Sequence, residues 1–319
     1  MAGSPLVTGA AGFAGSHLID HLLEIAPEVL AWGKPAGRPT PPREDGRVTW
    51  RSIDVLDATA VGEALAESRP SAIYHCAGVA DVTASWSHPA RALEVNALGT
   101  HRVLEGVRSA GLDCPVLITG SALVYAQSST AIEEDAPRQP STPYGASKLA
   151  QEMIAARADW CPVLIARPFN HAGPRQSPSY VTSSFAKQIA EIEAGVSEAV
   201  LRVGNLESRR DITDVRDTVR AYTTLVERGR TSRPYNVCCG EAYRIADLLD
   251  TLVGMARKMI RIEVDPARLR PSDIPVVLGS PRRIQAETGW QPQIPIQKTL
   301  ADLLDYWRQM TARAATARS

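Results

Sequence analysis

The first half of the chain alternates short apolar runs with amphipathic stretches. The runs are typical of buried strands, and apolar residues spaced three or four positions apart are typical of helices. The predicted strands are 5–7, 28–32, 49–54, 72–75, 115–120 and 162–167, and the predicted helices are 15–25, 58–68, 90–110 and 144–157. This alternation predicts an α/β fold, a doubly wound parallel sheet with helices on both faces.

The alternation breaks down after residue 167. Short loops and helices follow, then a predicted helix at 217–227, a predicted strand at 235–238 and a helical C-terminal third. We therefore expect a Rossmann-type domain over 1–167 that is rejoined by 211–238. A smaller, mostly helical second domain would comprise 168–210 and 239–319.

A glycine-rich segment, LVTGAAGFAGSHL (6–18), joins the first predicted strand to the first predicted helix. Gly9 would make the tight turn, Gly12 would let backbone approach a pyrophosphate, and Gly15 would let the helix pack on the strand. The helix N-terminus offers unpaired N–H groups to phosphate. The segment, with Phe13 and Ala14, predicts a dinucleotide site, and the alternative is a plain turn.

The second predicted strand ends in VLAWGKPAGR (29–38), without the acid that NAD-binding units place there. Lys34 and Arg38 stand nearby, and a cation favours the 2′-phosphate of NADP. We expect NADP(H), with NAD(H) as the alternative; the two cations could also be solvated loop charges. Asp54, followed by Val55, could accept from the adenine amino group or cap a helix.

The segment STPYGASKLA (141–150) places Tyr144 and Lys148 four residues apart, on one helical face. A nearby ammonium would lower the pKa of the phenol, so the tyrosine could exchange a proton near neutral pH. Ser121, in GSALVYA (120–126), stands at a strand end and would complete a catalytic group. A Tyr-x-x-x-Lys pair alone could instead be a surface pair.

With these motifs, IYHCAG (73–78) and NALGTHRVLE (96–105), the chain resembles the extended short-chain dehydrogenase/reductases over nearly its whole length. The resemblance implies that Tyr144 is the acid/base, that Lys148 binds the nicotinamide ribose and tunes the tyrosine, and that Ser121 holds the substrate oxygen. It also implies dinucleotide contacts from Ala77, Gly78 and Asn96.

Three later segments, RPFNHAGPRQ (167–176), VGNLESRRDITDVRD (203–217) and RLRPSDIP (268–275), resemble the branch that acts on GDP-hexoses. Arginines bind phosphate in a bidentate manner, so Arg210 and Arg270 are the candidates for the diphosphate. By resemblance, Asn170 would reach the sugar-phosphate and Lys187 the nucleotide end. Asp273 would contact ribose or cap a loop.

Leu123 stands two residues after Ser121, where the dehydratases of this family carry a glutamate. Leucine cannot transfer a proton, whereas reduction of a ketone needs no second acid. The chain is therefore expected to reduce the C4 ketone of GDP-4-keto-6-deoxy-D-mannose to GDP-D-rhamnose or GDP-6-deoxy-D-talose. The alternatives are a 4-epimerase, a 4,6-dehydratase that recruits Glu133 or Asp135, and a non-catalytic dinucleotide-binding module.

The amino-acid composition excludes several classes of binding partner. The 319 residues include 35 basic and 35 acidic side chains, so no overall charge favours nucleic acid or an anionic membrane. The N-terminal segment does not have the pattern of a signal peptide, and no apolar run reaches about 20 residues. Both observations predict a cytoplasmic protein. The five cysteines fit neither a zinc site nor a disulfide framework, so no metal is expected. By resemblance, 90–110 and 144–157 would pair across a twofold axis into the four-helix bundle of a homodimer.

Overall fold

The computed structural model describes residues 3–34, 46–231, 233–268 and 274–316. The strands are β1 Leu6–Thr8, β2 Val29–Gly33, β3 Val48–Ser52, β4 Ile73–His75, β5 Val116–Thr119, β6 Val163–Pro168, β7 Asn170–Ala172, β8 Val200–Val203, β9 Arg209–Asp214, β10 Pro234–Val237, β11 Ala242–Arg244, β12 Arg261–Val264 and β13 Val276–Val277. The α-helices are α1 Phe13–Ile25, α2 Ala58–Ser68, α3 Val82–Ser87, α4 Pro89–Leu93, α5 Gly99–Ser109, α6 Pro143–Ala155, α7 Val181–Glu193, α8 Val215–Arg228, α9 Ile245–Gly254, α10 Arg282–Thr288 and α11 Ile296–Thr316.

Seven parallel strands form the main sheet in the order β10-β6-β5-β4-β1-β2-β3. Chain order runs outward in both directions from the β1–β4 pair, which makes that pair the switch point where ligands bind in such sheets. Apolar side chains of α1 and α8 cover one face. Those of α2, α5 and α6 cover the other. The predicted doubly wound α/β fold is confirmed.

A second region is built on β9, which pairs with β7 and β13 in parallel and with β11 in antiparallel orientation. The short pair β8–β12 lies apart from that sheet. Helices α7, α9 and α11 enclose a separate apolar core. Besides these helices, the region contains strands that the sequence pattern did not predict.

Two details differ from the prediction. The expected continuous helix over 90–110 is interrupted by a π-helical turn, Glu94–Leu98, between α4 and α5. The predicted division also assigns α10 to the smaller domain, whereas Ile284 and the following Trp290 pack in the core formed by α1 and α8. This part of the division was wrong because these two apolar side chains cover the main sheet.

Candidate active site

The glycine-rich segment forms a tight turn between β1 and α1. Gly9 has a φ of 65°, and a Cβ on it would come within 2.6 Å of the Ala77 backbone nitrogen. A Cβ on Gly15 would overlap the Gly9 carbonyl oxygen. No side chain caps the start of α1 at Gly12, so its first N–H groups, those of Phe13 and the next residues, have no partner within the helix. The turn therefore fits the pyrophosphate of a dinucleotide.

One cavity of about 230 Å³ lies beside this turn, at the carboxyl ends of β1, β2 and β4. Six predicted cofactor residues line it, namely Gly9, Lys34, Asp54, Val55, Ala77 and Gly78. Asp54 also accepts from the Leu56 backbone N–H at 3.0 Å, but the N-cap of α2 is Asp57, so Asp54 is not the helix cap that the alternative expected. Arg38 lies outside the described residues. Arg91 on α4 lines the same cavity and was missed, because it lies outside the glycine-rich segment and the strand ends.

Asn96 makes hydrogen bonds within the protein, and the dinucleotide contact that the resemblance implies stays a prediction. Its side chain is fully buried in the π-helical turn. The amide accepts from Val79 N at 2.8 Å and donates to Val79 O at 3.2 Å and to Ser147 Oγ at 2.8 Å. Asn96 thus ties the loop after β4 to α6. A Cβ on Gly78 would lie 2.7 Å from its Oδ1, so residue 78 has room for hydrogen only.

Ser121, Tyr144 and Lys148 meet at the carboxyl end of β5. Ser121 begins the 3₁₀ turn Ala122–Val124, where its hydroxyl accepts from Leu123 N at 3.1 Å. The Ser121 hydroxyl lies near enough to the Tyr144 phenol to lower its pKa. Lys148 Nζ lies 5.9 Å from the centroid of the Tyr144 ring and donates to Thr119 O at 2.7 Å. The structure therefore brings the three predicted residues together.

The protonation of this group corrects one expectation. Burial raises the pKa of Tyr144 to about 12, and the nearby Ser121 hydroxyl opposes that rise. Burial also lowers the pKa of Lys148 to about 8. The pKa of Tyr144 therefore shifts upwards rather than downwards as expected, because burial of the phenol disfavours its charged form. Tyr144 is a protonated phenol, ready to donate.

Behind α6 lies a buried ion pair that was also missed. Arg167 of β6 donates from Nε and Nη2 to both oxygens of Glu152, at 2.7–3.1 Å. Its remaining nitrogen donates to Tyr125 Oη at 2.7 Å and to Glu134 O at 3.0 Å. Glu152 follows Lys148 by four residues, and this helical spacing was the available signal. The pair anchors the catalytic helix to the sheet.

The predicted substrate residues lie in the second region. Asn170 is exposed on β7. Lys187 on α7 lies 3.5 Å from Glu191 and over the ring of Trp307, so its ammonium already has protein partners. Arg210 on β9 donates to the Ile274 carbonyl at 2.6 Å. Arg270 and Asp273 lie outside the described residues.

Aromatic rings connect the cofactor turn with the substrate-side strand. Phe13 stacks on His171 of β7, with ring centroids 5.5 Å apart and planes at 4°. His171 Nδ1 lies 3.2 Å from Phe169 O, and burial lowers its pKa. His171 is therefore a neutral structural histidine rather than a proton carrier. Through this stack, Asn170 is held beside the glycine-rich turn.

The described residues contain neither a membrane-spanning helix nor a cluster of metal-ligating side chains. None of their helices is long and apolar enough to cross a membrane. None of their His, Cys, Asp and Glu side chains form a group of three that could hold a metal ion.

A doubly wound sheet, a glycine-rich turn and a Ser-Tyr-Lys group together define the class of extended short-chain dehydrogenase/reductases. Residues 6–303 match the family model of GDP-mannose 4,6-dehydratase. The chain belongs to this family. A GDP-6-deoxy-D-mannose reductase of Pseudomonas aeruginosa is 36% identical over 94% of this chain and 96% of its own. A GDP-mannose 4,6-dehydratase of Vibrio cholerae is 25% identical, over 94% and 92% respectively.

Two solved structures are also similar. RMD from Pseudomonas aeruginosa, complexed with NADPH, has a TM-score of 0.85 and 33% identity and covers 97% of this chain and 100% of its own. A UDP-glucose 4-epimerase of Thermus thermophilus, complexed with NAD, has a TM-score of 0.83 and 28% identity, with coverage of 96% and 99%. The predicted class, an NAD(P)-dependent nucleotide-sugar oxidoreductase, is confirmed.

Proposed function

We propose that this protein uses NADPH to reduce the C4 ketone of GDP-4-keto-6-deoxy-D-mannose to a GDP-6-deoxyhexose. The observation that carries the proposal is the pairing of the buried Tyr144 phenol with the nearby Ser121 hydroxyl, beside Lys148; burial raises the pKa of Tyr144 to about 12 and keeps it protonated. Such a pair donates a proton to a forming alkoxide and stabilises it, which is what ketone reduction requires. The 36% identical relative named as a reductase supports the same substrate.

The cofactor residues fit a nicotinamide dinucleotide. The α1 N-terminus would hold the pyrophosphate, and the cavity residues, among them Lys34 and Asp54, would hold the adenosine half. When bound, NADPH supplies the hydride. Lys148 is buried beside Gly78, which lines this cavity, and its ammonium would orient the nicotinamide ribose.

The protein's own residues complete the reduction. The Ser121 hydroxyl would hydrogen-bond O4 of the sugar, and Tyr144 Oη would transfer its proton to O4 as negative charge develops there. Lys148 would stabilise the phenolate that remains. For the rest of the substrate, Asn170, Lys187, Arg210, Arg270 and Asp273 remain proposals.

A dehydratase is the second candidate, because the family model carries that name. It would need a carboxylate for the proton at C5, and Leu123 has none. Glu133 is exposed and lies 3.7 Å from Arg282, and Asp135 is exposed and paired with Arg283. The acids that could be recruited thus have partners elsewhere, which favours the reductase.

A paired assay tests the proposal. Purified protein receives GDP-4-keto-6-deoxy-D-mannose with NADPH and, separately, GDP-mannose with NADP. We expect NADPH absorbance to fall in the first reaction, NMR to identify a GDP-6-deoxyhexose, and no 4-keto sugar to form in the second. Formation of 4-keto sugar from GDP-mannose would overturn the reductase in favour of the dehydratase.

The homodimer is part of the proposal. Leu93 and Leu98 on the α4–α5 segment and Met153 on α6 are 46%, 39% and 63% exposed, respectively. Apolar side chains on these two helices would be covered if a second copy packed there as a four-helix bundle. Light scattering should give the mass of two chains, and Met153→Glu should shift it to one. A monomeric parent protein would refute the bundle. Action in the cytoplasm stays a prediction.

A further inference from the structure

A network of buried hydrogen bonds ends at Lys148. Lys148 Nζ donates to Gln151 Oε1 at 2.9 Å, and Gln151 Nε2 donates to Thr100 Oγ1 at 2.8 Å. His75 Nε2 lies 2.9 Å from Thr100 Oγ1, and His75 Nδ1 lies 2.8 Å from Thr8 Oγ1. Each of these five side chains is at most 4% exposed. The hydrogen-bond network therefore crosses the core between the sheet and α6.

Only one assignment of donors and acceptors satisfies every hydrogen bond of this network. The Thr100 hydroxyl donates to Asn96 O at 2.7 Å, so Thr100 Oγ1 can only accept from its other neighbours. His75 Nε2 must then carry the ring proton. Burial lowers the pKa of His75 to about 3, so its Nδ1 has no proton and accepts from Thr8. Thr8 Oγ1 in turn accepts from Ala77 N at 3.1 Å, at the wall of the cofactor cavity.

This arrangement determines which end of the Gln151 amide faces Lys148. Thr100 Oγ1 can only accept, so the NH₂ end must face Thr100 and the oxygen must face the lysine. We propose that Gln151 is a positioning residue, which holds the Lys148 ammonium in place and stabilises its charged form. The contribution to reduction rests on the proposed function, but the placement and charge of Lys148 do not.

Four titratable side chains face Lys148 from β4 and α6, namely His75, Cys76, Tyr144 and Glu152. Burial keeps the first three neutral, with pKa values lowered to about 3 for His75 and raised to about 12 for Cys76 and Tyr144. Glu152 is charged, but its carboxylate is bound by Arg167. Among the described residues, the direct acceptors for the ammonium are therefore the Gln151 amide and the Thr119 carbonyl.

The test is a titration of Lys148 in the ligand-free protein. The chain has five lysines, Lys34, Lys148, Lys187, Lys258 and Lys298, so protein labelled with ¹³C at lysine Cε gives a simple NMR spectrum. Lys148→Arg assigns the resonance. The parent lysine should titrate near pH 8.

Two isosteric variants should move that titration in opposite directions. Gln151→Met removes the acceptor and should lower the pKa of Lys148 by about one unit. Gln151→Glu adds a negative charge and should raise it. Gln188→Met on α7, whose amide bonds to Ser184 and Arg202, is the matched control and should leave it unchanged.

The same variants connect the titration to catalysis. The alkaline limb of the kcat profile should follow the Lys148 titration, to lower pH in Gln151→Met and to higher pH in Gln151→Glu. An unchanged Lys148 titration in both variants would overturn the proposal and leave Gln151 a packing residue. If Gln151→Met does not fold, Gln151→Glu decides by the same criterion. Absence of reductase activity in the parent would refute the proposed function alone, because the titration needs no substrate.

Discussion

The backbone carbonyl of Leu123 occupies the space where a side chain on Gly145 would begin. Ser121 begins the 3₁₀ turn that contains Leu123, and Tyr144 immediately precedes Gly145 on α6. The close approach of these two backbones brings the serine hydroxyl to the tyrosine phenol. Leu123 therefore contributes through its main chain, although its side chain can carry no proton.

Gly145→Ala should disable the enzyme by separating these two elements. The added methyl group would overlap the Leu123 carbonyl and push α6 away from the turn, and a displacement of about 1 Å at reacting groups costs roughly a hundredfold in kcat. Steady-state kinetics measures the loss. Gly62→Ala in α2 is the matched control, because no atom beyond its chain neighbours and its own helix backbone lies within 4 Å of the added Cβ. A wild-type kcat in Gly145→Ala would show that the contact is dispensable.

Tyr144→Phe should lower kcat by about a thousandfold, within the range for loss of a general acid. The phenyl ring keeps the packing, so the binding of NADPH should change little. Stopped-flow measurement of NADPH oxidation, with cofactor titration by fluorescence, separates the two effects. Equal loss of cofactor binding would mean that Tyr144 acts in binding rather than in proton transfer.

Ser121→Ala should reduce kcat by roughly a hundredfold, because a hydrogen-bond donor to the developing alkoxide is lost. It also removes the hydroxyl that opposes the raised pKa of Tyr144, so the phenol becomes a weaker acid. Ser121→Thr retains the hydroxyl and should keep most of the activity. If the alanine and threonine variants lose activity equally, the hydroxyl is not the group that matters.

The sequence predicts most of the main sheet because strands such as β1, β5 and β6 contain continuous apolar runs that are buried on both faces. Strand β9, RRDITD, lacks such a run, yet Asp211 is fully buried in it. Its carboxylate accepts from the backbone N–H groups of Cys239, Gly240 and Gly279 at 2.9–3.2 Å. Those donors come from distant parts of the chain, so a local pattern could not predict this strand.

For the catalytic group, too, the sequence predicts some features and not others. The spacing of Tyr144 and Lys148 indicates that they share a helical face, and the structure confirms it. The pKa of Tyr144 depends on its burial by the completed fold, which the spacing does not contain. The sequence did not predict the role of Gln151, because Thr100 and His75 determine which end of its amide faces Lys148. These two residues lie 51 and 76 residues away from Gln151 along the chain.

Lys34→Ala should weaken selection for NADPH. Lys34 lines the cofactor cavity. A hydrogen bond from an ammonium to a phosphate is worth at least about a factor of ten in affinity. We expect the KM for NADPH to rise about tenfold and the KM for NADH to stay the same, because NADH lacks the 2′-phosphate. Lys298→Ala, at a lysine that pairs with Asp302 on α11, should change neither. Equal effects on both cofactors would assign Lys34 to another part of the dinucleotide.

His17 makes the stability of the protein sensitive to mild acid. It lies on α1 with Nε2 2.8 Å from Pro174 O and 3.3 Å from Arg175 Nε. Burial, and next the charge of Arg175, lowers its pKa to about 4 in the folded state. The unfolded chain takes up this proton near pH 6.5, whereas the folded protein does so only near pH 4. Stability should therefore fall as the pH falls from 6.5 to 4.

His17→Gln isolates this contribution. The variant cannot take up the proton, so its free energy of unfolding should fall less between pH 6.5 and pH 4, by up to about 3 kcal/mol. Urea unfolding of both proteins at half-unit pH steps measures the difference. Buried carboxyls such as Asp211, whose pKa is raised, act in the opposite direction but are common to both proteins and cancel. Parallel curves for the two proteins would mean that His17 is protonated in the folded state already at pH 6.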